Sequence, residues 1–189
     1  MNAMHSGVEL SRQFFPLSAN SDAGLDQQVA MARANGQLKS WSDLTERRSA
    51  VVLGEAGCGK TTEFKRHADR LVREGKTAFF IPLKDLANQD LRGALGAREE
   101  KLLESWIEGD SHGTFLFDAF DEAQLDRLTL ALALKKFGKG IGGAAFRSSI
   151  VISCRVSDWD LHVDQPALVD HMRSLRDPTA LSEVVADWG

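Results

Sequence analysis

A glycine-rich stretch in the first third of the chain has the residue types and the spacing of a phosphate-binding loop. Residues 54–62 read Gly-Glu-Ala-Gly-Cys-Gly-Lys-Thr-Thr, which matches the pattern GxxxxGK[ST]. Glycines allow a tight turn in which successive backbone N–H groups point at a phosphate, and a helix that begins where the turn ends adds its positive end. The stretch therefore predicts a site for the phosphates of a nucleoside triphosphate.

Two side chains of this stretch have expected chemical roles. Lys60 is expected to reach the β- and γ-phosphates, and Thr61 carries a hydroxyl suited to a Mg²⁺ ion that also holds phosphate oxygens. A glycine turn followed by an exposed lysine is the alternative interpretation. The predicted nucleotide-binding residues are Gly54, Glu55, Ala56, Gly57, Cys58, Gly59, Lys60, Thr61 and Thr62.

Three carboxylates follow a predicted strand further along the chain. Residues 114–122 read Thr-Phe-Leu-Phe-Asp-Ala-Phe-Asp-Glu, so the apolar run ends at Asp118, with Asp121 and Glu122 just beyond. In enzymes with a phosphate-binding loop, one acid at this place holds Mg²⁺ through its water shell, and a second acid orients or deprotonates the attacking water. We assign Asp118 to the metal and Asp121 or Glu122 to the water, favouring Asp121. A solvated acidic loop leading into a helix is the alternative.

Apolar runs of strand length alternate with helix-length segments from residue 49 onward. This alternation predicts an α/β fold, with a parallel sheet covered by helices on both faces. Residues 1–45 are polar and turn-prone, apart from one short predicted helix, and we treat them as a lead-in to a core of residues 46–189. The predicted strands are 50–53, 77–83, 114–117 and 149–153, and the predicted helices are 25–33, 62–73, 123–137 and 166–176.

The composition narrows the function classes. A formal net charge of −4 argues against a general nucleic-acid-binding surface. The two cysteines, Cys58 and Cys154, are too few for a disulfide framework or a zinc site, so we expect free thiols. The sequence has neither an apolar stretch of membrane-spanning length nor the pattern of a signal peptide. We therefore expect a cytoplasmic protein.

The spacing of the three acids resembles the Walker B signature of NACHT-type NTPases, which belong to the STAND class of signal-transducing ATPases. That signature has an Asp for magnesium, a small residue, and then a displaced acidic pair, as in Asp118-Ala-Phe-Asp-Glu here. Residues 149–155, Ser-Ile-Val-Ile-Ser-Cys-Arg, are similar to the family's sensor strand, which ends in a Thr/Ser-x-Arg element near the γ-phosphate. Arg155 is the matching arginine, although Val156 stands where the family usually has proline. The resemblance covers about residues 46–159.

The resemblance implies a three-layer P-loop NTPase with a sheet of the additional-strand type, in the order 1-4-3-2, and ATP and Mg²⁺ as cofactors. Family members usually add a fifth strand, a helical lid and a winged-helix module, so we expect an ATPase core truncated before the lid, with further domains in a longer chain. The implied function is a slowly hydrolysing ATP switch in signalling or antiphage defence, monomeric as the isolated chain. A small-molecule or nucleotide kinase and a nucleotide-binding scaffold without turnover are the alternatives.

Four residues ahead of the first strand have two interpretations each. Trp41 and Leu44 lie where related ATPases form part of the adenine pocket, but the same residues would serve to pack the lead-in against the core. Arg47 and Arg48 are candidates for contacting phosphate or adenine, but arginines that flank a strand are more often solvated.

Overall fold

The computed structural model describes residues 13–16, 24–119, 127–159 and 163–176. Four parallel strands form one sheet in the order β1-β4-β3-β2, so the predicted α/β class and the strand order 1-4-3-2 are confirmed. Within the described residues, β1 is an edge strand and no fifth strand pairs with it. The strands are β1 (Ser49–Leu53), β2 (Thr77–Pro82), β3 (Gly113–Asp118) and β4 (Ser148–Cys154).

Helices lie before, between and after these strands in the chain. In the described parts of the chain they are α1 (Leu25–Ala34), α2 (Trp41–Thr45), α3 (Lys60–Arg73), α4 (Leu83–Asn88), α5 (Ala97–Glu108), α6 (Arg127–Ile141) and α7 (Asp164–Arg176). Short 3₁₀ helices, Gly142–Arg147 and Val156–Asp158, flank β4.

Both faces of the sheet are buried. Successive side chains of a strand point to opposite faces, and along β3 Phe115 and Phe117 join one apolar cluster while Leu116 joins the other. The larger cluster includes residues of α4, α5, α6 and α7, and the smaller one includes residues of α2 and α3. The two central strands, β3 and β4, are buried along their whole length, as expected for a parallel sheet with helices on both sides.

The structure extends the predicted helix 123–137 at its C-terminal end. Helix α6 continues through Gly138 and Gly140 to Ile141, although glycine is a poor helix former. A Cβ atom at position 140 would lie 2.6 Å from Leu91 Cβ, so the close approach of the segment before α5 requires glycine there. Tertiary packing therefore overrides local propensity at this point.

Two further differences concern the region between β2 and β3. The predicted strand 77–83 ends one residue early, because Leu83 is the first residue of α4. Neither α4 nor α5 was predicted from the sequence. The side chain of Arg147 secures the end of α5, donating hydrogen bonds to the carbonyl oxygens of Trp106, Ile107 and Ser111.

Candidate functional site

The phosphate-binding stretch forms the connection between β1 and α3. Gly57 and Gly59 have φ angles of 72° and 85°, in the left-handed region that favours glycine. Gly59 is the N-cap of α3 and has no side chain, so the first N–H groups of this 14-residue helix have no side-chain acceptor at the cap. These N–H groups have no partner within the helix, and the helix dipole places partial positive charge beside them. The donors and the partial positive charge of this turn therefore favour the binding of an anion.

The side chain of Lys60 folds back onto the start of this turn and closes it. Its Nζ atom donates hydrogen bonds to the carbonyl oxygens of Gly54 and Glu55, both at 2.7 Å. The third contact, 3.6 Å to Cys58 Sγ, is weak, because sulfur is a poor acceptor. The ammonium group is thus held at the mouth of the turn, with one of its three donors poorly satisfied. A phosphate oxygen would be a much better partner for that donor.

Asp118 lies at the same edge of the sheet as this turn. This is the carboxyl edge, which is formed by the C-terminal ends of the parallel strands. Asp118 is the last residue of β3 and is 2% exposed. Its Oδ1 atom accepts a hydrogen bond from Ser153 Oγ, whereas its Oδ2 atom has no hydrogen-bond partner among the described residues. A buried carboxylate oxygen without a partner is costly, so it favours a cation or a metal-bound water beside it.

The register of the strands relates the acid to the loop. Asp118 is paired with Ser153, and Ser153 is paired with Val52, two residues before Gly54. Because parallel strands end at the same edge, the carboxylate and the phosphate-binding turn share this edge, with β4 between them. In open α/β sheets this carboxyl edge is where ligands bind.

The residues present are compatible with a Mg²⁺ ion that arrives together with a nucleotide. The described residues contain no group of three or more His, Cys, Asp or Glu side chains that could hold a metal by themselves. Mg²⁺ bound with a nucleotide does not need such a group, because it keeps several waters and takes phosphate oxygens as ligands. Asp118 and the Thr61 hydroxyl would hold it. Asp121 and Glu122 lie outside the described residues, so their roles stay predictions.

Arg155 leaves the sheet beside the loop. It follows β4 directly, and the N–H of Gly54 donates to the carbonyl oxygen of the preceding residue, Cys154, at 3.1 Å. The backbone of Arg155 is therefore a neighbour of the first glycine of the turn, and the sensor role of its side chain stays a prediction. Cys154 and Cys58 are free thiols, as predicted. Burial raises the pKa of the Cys154 thiol to about 11, which keeps it protonated.

The structure decides between the two interpretations of Trp41 and Leu44 in favour of packing. Trp41 is only 6% exposed, and its indole stacks on His67 with 4.2 Å between ring centroids. Its Nε1–H donates to Glu63 Oε1 at 3.0 Å, and Phe14 and Phe64 make edge contacts with its ring. Because these neighbours surround the indole, it offers no open face to an adenine.

The position of Arg47 and Arg48 disfavours the interpretation in which they contact phosphate. They precede β1, whereas the phosphate-binding turn follows it. A strand of five residues spans about 16 Å, which is more than an arginine side chain can bridge. The two arginines therefore lie at the amino ends of the strands, whereas Lys60 lies at the carboxyl edge.

Two residues of this region have roles that were not predicted. The Ser-x-Arg element predicts no contact for Ser153 itself, and the signal for its role is a serine near the end of an apolar strand. His67 is buried on α3, where Arg70 Nη2 lies 2.6 Å from its Nδ1 atom. Burial and, less strongly, the Arg70 charge lower the pKa of His67 to about 4.

No protein-family model matches the chain, and a search of curated proteins finds no match either. The resemblance to NACHT-type NTPases thus stays a prediction from the motifs quoted above. Among the helices of the described residues, none has both the length and the apolar character needed to cross a membrane.

Proposed function

We propose that this chain binds ATP with Mg²⁺ at the carboxyl edge of its sheet and hydrolyses it slowly, as the nucleotide switch of a NACHT-like signalling or antiphage defence protein. The observation that carries the proposal is the buried Oδ2 atom of Asp118, which has no hydrogen-bond partner among the described residues and lies at the same edge as the turn closed by Lys60. A glycine turn alone would bind any small anion. A turn with a lysine inside it, and two strands away an acid with one oxygen that has no partner among the described residues, suits a metal-bound polyphosphate.

In this proposal the phosphates, the metal and the attacking water are each bound by different residues. The N–H groups at the start of α3 and the Lys60 ammonium orient the β- and γ-phosphates. Asp118 and Thr61 hold the metal, and Arg155 contacts the γ-phosphate. Mg²⁺, when bound, supplies positive charge that offsets the charge developing on the phosphate oxygens. Asp121 or Glu122 accepts a proton from the attacking water.

The expected slow turnover follows from how open the turn is. Residues 55–59 are all exposed in the described structure. Enzymes that transfer phosphoryl groups quickly exclude water around the reacting groups, which strengthens the electrostatic contacts there. An open turn leaves these contacts in a high dielectric, so we expect turnover below the usual range of about 1–1000 per second.

Isothermal titration calorimetry with ATP, in the presence and absence of Mg²⁺, tests the proposal. Lys60→Ala should weaken ATP binding about ten- to a hundredfold, because charge-assisted contacts to phosphate contribute roughly 1.5–3 kcal/mol. Lys65→Ala is the matched control, since Lys65 is an exposed lysine of the same helix that lies over the Phe80 ring. Equal affinities for the wild type and Lys60→Ala would refute the site.

Asp118→Asn separates metal binding from phosphate binding. The amide has nearly the shape of the carboxylate but no charge, so the gain in ATP affinity on adding Mg²⁺ should fall about ten- to a hundredfold while metal-free affinity is kept. An unchanged Mg²⁺ effect would remove Asp118 from the proposal. Phosphate release measured on the wild type then distinguishes a slow ATPase from a scaffold without turnover.

A further inference from the structure

Ser153 occupies the central place between the two halves of the proposed site. It is the second-last residue of β4, and it is paired with Val52 on one side and with Asp118 on the other. It is 1% exposed and follows three apolar residues, Ile150, Val151 and Ile152. A hydroxyl in such surroundings is costly unless its hydrogen bonds are made.

The hydrogen bonds of Ser153 have a defined direction. The N–H of Ala119 donates to both the hydroxyl oxygen and the carbonyl oxygen of Ser153, at 3.3 Å each. Since that N–H can only donate, the single hydroxyl proton of Ser153 is left for Asp118 Oδ1. The serine therefore bridges the acid and the first backbone group beyond β3.

This bridge determines how the carboxylate of Asp118 is presented. The torsion that rotates a carboxylate has a broad, roughly two-fold preference, so the group does not choose one orientation by itself. The bond from Ser153 Oγ holds Oδ1 against β4 and leaves Oδ2 as the buried oxygen without a partner in the described residues.

We propose that Ser153 is a positioning residue that fixes Asp118 so that Oδ2 is the oxygen offered to the divalent cation. The proposal rests on the proposed function, because it assumes that Asp118 holds a nucleotide-bound metal. Ser153 acts through Asp118 and needs no contact with the nucleotide. Its removal should weaken metal binding and leave the metal-free binding of nucleotide unchanged.

The test measures Mn²⁺ affinity by electron paramagnetic resonance in the presence of ADP, which is not consumed. Ser153→Ala should raise the dissociation constant for Mn²⁺ about tenfold, the lower end of the effect of residues that support a metal ligand. Ser153→Thr keeps the hydroxyl and should retain most of the affinity. ADP affinity without metal should be equal in all three proteins.

Ser148→Ala is the matched control. Ser148 is a buried serine of the same strand, and its hydroxyl donates to the carbonyl oxygen of Ala145 at 2.8 Å, so its loss also removes a buried hydrogen bond. This variant should bind Mn²⁺ like the wild type. An equal loss in Ser148→Ala and Ser153→Ala would mean that the effect is general destabilisation, and the positioning role would be rejected.

The outcomes distinguish the two proposals. A wild-type protein that binds no Mn²⁺ with ADP contradicts the proposed function, and the role of Ser153 falls with it. Wild-type binding together with unchanged affinity in Ser153→Ala overturns the positioning role alone. If Ser153→Ala does not fold, Ser153→Cys provides the same test, since it keeps nearly the same shape with a much weaker donor, and wild-type affinity in that variant would equally overturn the role.

Discussion

Protonation of His67 should make the stability of this protein fall as the pH is lowered below neutrality. His67 is 4% exposed, stacks on Trp41, and has a pKa of about 4 because its burial and the nearby Arg70 charge oppose the imidazolium form. Its Nε2 atom has no hydrogen-bond partner in the described part of the chain. The substitution that tests this effect is His67→Phe, which keeps an aromatic ring against Trp41 and removes the titration.

The expected size follows from the two pKa values. The unfolded chain takes up the proton near the ordinary value of 6.5, while the folded protein resists it until about 4. Between these values the unfolded state binds more protons, so stability decreases as the pH falls through 6.5 and levels off below about 4. Linkage then gives a loss of about 2 kcal/mol between pH 7 and pH 5 from this one residue.

Urea unfolding of the wild type and of His67→Phe at pH 7, 6 and 5 measures this loss, because the other titrating groups are common to both proteins. The difference in unfolding free energy between them should shift by about 2 kcal/mol across this range, with the wild type losing more. Parallel pH profiles for the two proteins would refute the reasoning. So would an NMR titration of the His67 ring with a midpoint near 6.5.

Three other predictions follow from the structure and the motifs. Arg147→Met should lower the unfolding free energy by about 2–4 kcal/mol, because three carbonyl oxygens at or just beyond the end of α5 lose a charged donor; chemical denaturation showing no change would contradict this. Arg155→Ala should weaken ATP binding about tenfold more than ADP binding in calorimetry, because the guanidinium is expected at the γ-phosphate, whereas equal effects would indicate a surface arginine. Asp121→Asn and Glu122→Gln should both bind ATP normally, and at least one should lose phosphate release about a hundredfold; wild-type turnover in both would exclude this acidic pair from catalysis.

Apart from the strand order, the features that the sequence predicted correctly are local ones. The tight glycine turn is one of them, because Gly57 and Gly59 adopt a left-handed conformation that no other residue type adopts so readily. Asp118 could be placed at a strand end because an uninterrupted apolar run precedes it. The strand order came from the resemblance of three motifs, since strand length and hydrophobicity do not state which strands are neighbours.

Long-range contacts decided the rest, because they depend on residues that are far apart in the sequence. Ser153 and Asp118 are separated by 35 positions, and only the pairing of β3 with β4 brings the hydroxyl to the carboxylate. Trp41 had two interpretations until its stacking on His67 showed that it packs the lead-in against α3. Gly140 signals a break in a helix by propensity, yet Leu91 lies so close that glycine is what allows the helix to continue. Residue types and spacing thus determined which groups this protein offers for chemistry. Tertiary packing decided which of these groups are buried, and which atoms, such as Asp118 Oδ2, have no hydrogen-bond partner among the described residues.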